Sequence, residues 1–422
     1  MRWGTSCLSG VTIAFVPMTP TTRPRITVVG IGADGWPTVP EGSWRTLLTA
    51  SVVLGGARHL AMLPDIPDQV REAWPSPLRD GLPALLEKYD GRDVVALASG
   101  DPLVSGIGAT LIALLGEDAV RIEPAVSSVA LARARMGWPS DRVEVVSAVG
   151  RDPHAVLRTL APGHRVLVLS ADASTPAEVA GLLRDSGYGA SAMTVLGNLG
   201  TADECRADGA AATWDQPSPA LNVVALTLDG PVVGPRSGGL PDDAFEHDGQ
   251  LTKRDLRASA LARLAPQPGQ LLWDVGAGAG SVGIEWMRAH PTCWSIAVEA
   301  DDVRAARISR NAARLGVPTL RVVHGRAPEV LDDLPAPHAV FVGGGATAPG
   351  LLDTCLAALQ PGGRIVVHGV TLETEALLAR RYAEHGGELT RIQVEHAAPI
   401  GSFTGWTPAR AVTQWALSKE TG

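Results

Sequence analysis

The sequence is poor in the residues that would staple, anchor or strongly charge a chain. Its 422 residues hold four cysteines (Cys7, Cys205, Cys293, Cys355), widely spaced and without a CxxC pair. That spacing speaks against a disulfide framework or a zinc ribbon and fits a reducing cytoplasm. No apolar run reaches the roughly 18–20 residues a membrane-spanning helix needs, so no membrane partner is expected. Long Lys/Arg runs are missing and the formal charge is −8. A nucleic-acid backbone is therefore not the expected partner, although a polyanionic small substrate needs only a local basic patch. There is no 20–50-residue repeat, no low-complexity segment, no Ser-His-Asp pattern and no clustered metal ligands.

What is present is an ordinary soluble composition, 45% hydrophobic and 19% charged. The length suggests two domains of roughly 200 residues. Residues 1–24 carry a short, interrupted apolar stretch (Leu8 to Val16) with Met18 behind it. They are expected to be a disordered leader or an over-called start rather than an export signal. From Arg25 onward β-branched runs alternate with helical patterns. Strands are predicted at 26–31, 94–98, 143–146, 165–169 and 222–228, with helices at 105–115, 127–136 and 176–185. The stretch 231–249, rich in Gly, Pro and Asp, lacks apolar periodicity and reads as a linker. Alternation then resumes: helix 253–264, strand 271–275, helix 282–289, strand 295–299, helix 302–315, strands 320–324 and 339–342, helix 351–359, strand 364–368, and two or three late strands. The whole is an α/β protein with largely parallel sheets.

The most informative stretch is Leu272-Trp273-Asp274-Val275-Gly276-Ala277-Gly278-Ala279-Gly280-Ser281, a strand running into a glycine turn that opens a helix. Glycines permit the sharp turn and a close backbone approach to a ligand. Asp274 can brace that loop or face a cofactor. About 20 residues on, the next strand ends in Glu299, placed to accept from ribose hydroxyls. Gly278, Gly280 and Gly283 also satisfy GxGxxG, so a dinucleotide-dependent oxidoreductase competes. Gly325-Arg326-Ala327-Pro328, Pro361-Gly362-Gly363-Arg364 and a helix ahead of the first strand favour a class I methyltransferase.

Together with Thr252-Lys253-Arg254-Asp255 and Val342-Gly343-Gly344-Gly345, these segments resemble the decarboxylating precorrin methyltransferases of the cobalamin pathway. The resemblance covers nearly everything after residue 240. It implies that Thr252, Gly276, Ala277, Gly278, Ala279, Gly280, Glu299 and Ala327 contact S-adenosylmethionine. It assigns His368 no role.

In the first half, Val28-Val29-Gly30-Ile31-Gly32-Ala33-Asp34-Gly35 is followed by Ser99-Gly100-Asp101-Pro102-Leu103, Glu123-Pro124-Ala125-Val126-Ser127-Ser128 and Val149-Gly150-Arg151-Asp152. In this order they resemble the tetrapyrrole methylases, class III methyltransferases with two α/β lobes. The first loop departs from that family's usual Gly-x-Gly-Pro-Gly-Asp at Ala33 and Asp34. The resemblance covers residues 25–230 and implies cofactor contacts at Gly100, Asp101, Leu103, Ala125, Ser128, Gly197 and Asn222. Asp101 itself reads as a loop-bracing carboxylate.

A class III half (25–230), a linker (231–249) and a class I Rossmann-like half (250–422), fused in that order, resemble the precorrin-6B C5,15-methyltransferases (decarboxylating). The resemblance implies one S-adenosylmethionine per half, methylation of carbons 5 and 15 of a precorrin, loss of the ring C acetate carboxyl, and a homo-oligomer. Methyl transfer from a sulfonium mainly requires alignment and exclusion of water, and the ring supplies its own electrons. No catalytic side chain is therefore singled out and no metal site is expected. Lys253, Arg254, Arg257 and Arg326 are candidates to bind substrate carboxylates, each balanced against a solvated surface charge. A cobalt-containing substrate and a non-catalytic corrinoid-binding protein remain as alternatives.

Overall fold

The computed structural model describes residues 25–232 and 238–420; the leader 1–24 and residues 233–237 of the expected linker lie outside them. Among the described residues two compact units emerge, 25–137 with 198–205, and 138–197 with 206–232 and 238–420.

The first unit runs β1 (Ile26–Ile31), α1 (Glu41–Thr49), β2 (Val52–Gly55), α2 (Ala57–Ala61), β3 (Val70–Ala73), α3 (Leu78–Lys88), β4 (Val94–Ser99), α4 (Ile107–Leu115), β5 (Val120–Glu123) and α5 (Ser128–Met136). Its sheet has the order β3-β2-β4-β1-β5, with parallel pairing throughout. A parallel sheet is covered on both faces, so its strands must be apolar on both sides. The cores show this: Ile26, Val28, Leu54 and Ala96 enter one cluster, while Val29, Ile31, Val53 and Leu97 enter another.

The second unit begins with β6 (Glu144–Ser147), β7 (Arg165–Leu169), α6 (Thr175–Asp185), β8 (Ala192–Gly197), β9 (Cys205–Ala210) and β10 (Asn222–Thr227). These strands form a sheet ordered β6-β7-β10-β8-β9, in which β10 is antiparallel to β7 and β8. There follow α7 (Arg254–Leu264), β11 (Leu271–Val275), α8 (Ser281–Ala289), β12 (Trp294–Glu299), α9 (Asp302–Arg314), β13 (Arg321–His324), β14 (Ala339–Val342), α10 (Leu351–Ala358), β15 (Arg364–Gly369), α11 (Leu372–His385), β16 (Glu388–Ile392), β17 (Glu395–Ile400), β18 (Phe403–Pro408) and β19 (Val412–Ser418).

The large sheet is ordered β13-β12-β11-β14-β15-β19-β16. Its first five strands are parallel, and β19 enters antiparallel between β15 and β16. A dinucleotide domain continues its sheet with parallel strands; the antiparallel β19 does not follow that plan. Chain order reverses across β11, whose neighbours are β12 and β14, so the crevice for a ligand lies at the carboxyl ends of these strands.

The described part of the expected linker is packed rather than free. Leu240 and Phe245 are 0% and 3% exposed and belong to the core under β11. Two isolated apolar anchors show no period, which is why the pattern reads as a linker.

Candidate functional site

A cleft of about 1520 Å³ opens at the carboxyl edge of the large sheet. Ligand pockets usually measure about 300–1,000 Å³, so this one has room for a nucleoside-sized group and a second, bulky molecule. Every strand end near the reversal contributes to it: Gly276 to Gly278 after β11, Glu299 at β12, Gly325 to Ala327 after β13, Gly343 to Gly345 after β14, and His368 and Val370 at β15. Thr252 and Lys253 close it from the segment ahead of α7.

The glycine loop is shaped by its own backbone. The amides of Gly276 and Ala277 donate to the Val298 carbonyl at 3.0 and 3.1 Å. Gly276 and Gly278 sit at φ of 66° and 60°, the left-handed region that side chains disfavour. A Cβ on Gly278 would stand 2.8 Å from the Gln250 carbonyl oxygen. Glu299, buried yet lining the cleft, accepts from the Gly278 amide at 2.8 Å and the Asp301 amide at 3.1 Å. Each of its oxygens retains a further lone pair. The carboxylate therefore braces the loop and can still accept from a ligand hydroxyl.

Of the eight C-terminal positions implied by resemblance, Thr252, Gly276, Ala277, Gly278, Glu299 and Ala327 come together on the cleft. The other two do not. Ala279 is fully buried in the core beneath α8, and Gly280 caps α8 against the Ile308 side chain. The turn leaves the cleft within three residues, so only its first half lines it.

Asp274 braces the loop from below, accepting from the Gly283 amide at 2.9 Å, while its other oxygen is sealed without a partner. Burial pushes its carboxyl up to about 7, the Gly283 bond opposes this, and the Glu299 charge adds to it. The folded chain thus holds a proton that the unfolded chain, titrating near 3.8, releases. Stability from this group is present below pH ~4 and is lost as pH rises to about 7. Asp274→Asn keeps the acceptor and removes the charge. It is expected to raise stability by about 1–2 kcal/mol at pH 8, with the gain shrinking towards pH 5, out of a ceiling of roughly 4 kcal/mol. Thermal melts at the two pH values read this out, and equal shifts at both would contradict it.

The four cations singled out from sequence separate. Arg254 and Arg326 are exposed, line the cleft and form no ion pair among the described residues. Lys253 lines the cleft 3.6 Å from Asp242. Arg257, by contrast, is 0% exposed and bonds Glu285 at 2.6 Å, so it cannot bind substrate. Arg410 and His368 also line the cleft. The resemblance assigned His368 no role, and Arg410 was not singled out because it belongs to no glycine motif; the one available signal is that His368 stands at a strand's carboxyl end.

In the first unit, the ends of β1, β4 and β5 are drawn together. The Gly100 amide donates to Ile31 at 2.8 Å and its carbonyl accepts from Ala125 at 3.1 Å. Asp101 accepts from the Leu103 amide at 2.9 Å, the bracing role expected of it. Leu103 is exposed, and Ser128 begins α5 behind the cap made by Ser127. These five positions share one sheet edge. Gly197 and Asn222 lie in the second unit, in register on β8 and β10. The Asn222 side chain is committed there, accepting from Ser170 at 2.6 Å and donating to the Pro219 and Asp172 carbonyls.

Comparison with known proteins adds an independent line. The family described as tetrapyrrole (corrin/porphyrin) methylases matches residues 25–213, and the precorrin methyltransferase domain matches 243–419. The precorrin-6Y C(5,15)-methyltransferase (decarboxylating) of Mycobacterium tuberculosis (strain ATCC 25618 / H37Rv) is 46% identical over 398 residues, 93% of this chain and 100% of that protein. The protein of the same name from Sinorhizobium sp is 44% identical over 401 residues, 94% of this chain and 97% of its own. Among solved structures, the C-terminal domain of precorrin-6Y C5,15-methyltransferase from Rhodobacter capsulatus is 44% identical, covering 44% of this chain and 100% of its own at a TM-score of 0.42.

Proposed function

Because the chain belongs to the precorrin-6Y C5,15-methyltransferase (decarboxylating) family, we propose that it converts precorrin-6B to precorrin-8X in cobalamin biosynthesis, methylating carbons 5 and 15 and removing the ring C acetate carboxyl. It is a C-methyltransferase with a tetrapyrrole substrate, and it uses S-adenosylmethionine. The finer division is our own reading: residues 25–230 methylate carbon 5, and residues 250–422 methylate carbon 15 and decarboxylate. Each half takes one cofactor, and the enzyme works as a homo-oligomer in the cytoplasm. No helix among the described residues is long and apolar enough to cross a membrane.

One arrangement carries the reading: glycine amides and the Glu299 carboxylate sharing one wall of a cleft large enough for two molecules. The residues fit the nucleoside portion. Left-handed glycines leave the wall free of side chains, Gly344 has open space where a Cβ would stand, and Glu299 keeps lone pairs for ribose hydroxyls. Thr252, Gly276, Ala277, Gly278, Glu299 and Ala327 are the proposed contacts. When bound, S-adenosylmethionine supplies a methyl group on a good leaving group. The chain's own part is to hold the acceptor carbon in line and exclude water. Arg254, Arg326 and Arg410 offer guanidinium forks to the macrocycle's carboxylates. In the first half, Gly100, Asp101, Leu103, Ala125 and Ser128 are the proposed contacts, with Gly197 and Asn222 added by the resemblance.

Calorimetric titration of the full chain with S-adenosylmethionine tests the cofactor assignment. Two binding events per chain are expected; a single event would remove the one-per-half division.

A further inference from the structure

The wall of the cleft at the end of β15 holds a titratable group that the reading above leaves without a task. His368 is 8% exposed and lines the cleft, its ring edge-on to Phe341 at 5.0 Å between centroids. Its Nε2 lies 2.9 Å from the side-chain amide of Gln414 on β19. That amide is satisfied on both sides when its oxygen accepts from the Arg263 guanidinium, at 3.1 and 3.3 Å, and its nitrogen donates to His368. Arg263 is itself held by Glu388 at 2.9 Å and by Ser259 Oγ at 3.0 Å.

This chain of bonds dictates a tautomer. If Gln414 donates to Nε2, that nitrogen must offer its lone pair, and the proton sits on Nδ1. A second proton on Nε2 would point at an N–H, with the Arg263 charge behind it. Burial holds the imidazole down to about 4, against an opposing contribution from the Gln414 contact and with the Arg263 charge lowering it further, so the ring is neutral at pH 7. Nδ1 has no hydrogen-bond partner among the described residues, and His368 lines the cleft. Ala348, Leu351, Val370 and Val412 line the same cleft with apolar surface.

Resting on the methyltransferase reading, we propose that the His368 Nδ1–H group seats the substrate carboxylate that departs as carbon dioxide, with Gln414 and Arg263 as the positioning residues that hold its tautomer. In this step the bond between the methylene and carboxyl carbons breaks and its electron pair enters the conjugated ring. Carbon dioxide leaves uncharged, and the methylene carbon takes a proton from water as the ring electrons return. A cation at this position would stabilise the carboxylate most before reaction, when its charge is localised. A neutral donor in an apolar wall orients the group and leaves its charge poorly solvated, which favours the state in which charge has moved into the ring. The guanidiniums of Arg254, Arg326 and Arg410 then serve the carboxylates that stay.

The test uses the full-length enzyme with precorrin-6B and S-adenosylmethionine, products being followed by mass. His368→Ala is expected to slow loss of carbon dioxide at least tenfold while leaving cofactor affinity unchanged. His368→Asn, whose amide N–H can occupy the place of Nδ1–H, is expected to recover part of that loss. Gln414→Glu should accept from Nε2–H instead. It is expected to move the ¹⁵N signature of His368 from the Nδ1–H to the Nε2–H tautomer and to slow decarboxylation, again without weakening cofactor binding. Decarboxylation by His368→Ala at the wild-type rate, or a wild-type ¹⁵N spectrum with the proton on Nε2, would overturn the proposal. Wild-type protein that binds S-adenosylmethionine yet neither methylates nor decarboxylates precorrin-6B would instead sink the functional reading beneath it.

Discussion

Arg257→Ala is expected to lower stability by about 3–5 kcal/mol and to reduce affinity for S-adenosylmethionine at the C-terminal site at least tenfold. Arg257 is fully buried, its guanidinium 4.8 Å from the Phe245 ring centroid. It bonds Glu285 at 2.6 Å and Asp242 at 3.3 Å, and donates to the carbonyls of Thr252 and Leu240. Glu285 in turn accepts from the amides of Gly239 and Leu240. Removing the cation strands a buried carboxylate and two carbonyls, the circumstance in which breaking an ion pair is most damaging. The segment so held includes Thr252, a wall of the cleft, so the loss reaches the site. Arg310→Ala, which breaks an exposed pair with Glu246, is the control and is expected to change little. Denaturant unfolding beside cofactor titration separates the two effects, and an Arg257→Ala protein of wild-type stability would contradict the assignment.

Gly278→Arg is expected to abolish binding at the C-terminal site and spare the rest of the chain. At φ 60° a side chain carries about 1–2 kcal/mol of strain. The new Cβ would stand 2.8 Å from the Gln250 carbonyl oxygen, so the loop must shift and its bond to Glu299 stretch. The arginine itself would project where the ligand is proposed to lie. None of these residues lies within residues 25–230, so the carbon 5 methylation proposed for that half is expected to survive.

How far the sequence discloses this follows from how local each feature is. β1, β7, β11 and β14 end where the apolar runs end, because a buried parallel strand carries its signal in its own residues. β9 (Cys205–Ala210) was missed because its residues are mostly exposed and polar, and α3 because Pro83 interrupts its pattern. The glycine loop and Glu299 are legible since a tight turn and a strand-end carboxylate are written within a few residues. Ala279 and Gly280 belong to the same written motif, yet the turn buries them. Arg257 reads as a surface cation on α7 until Glu285, 28 positions later, is placed against it. His368 depends on Gln414, 46 positions away, and on Arg263 from α7; no local pattern encodes that meeting.

The most direct test of a two-site, decarboxylating methyltransferase is the mass of the product formed from precorrin-6B and labelled S-adenosylmethionine, by wild-type protein beside Gly278→Arg. Two added methyl groups and the loss of one carbon dioxide are expected with wild type, and at most one methyl with no loss of carbon dioxide in the variant. A variant that still adds two methyl groups and releases carbon dioxide would contradict the division of labour, and a wild type that leaves every precorrin unchanged would contradict the reaction itself.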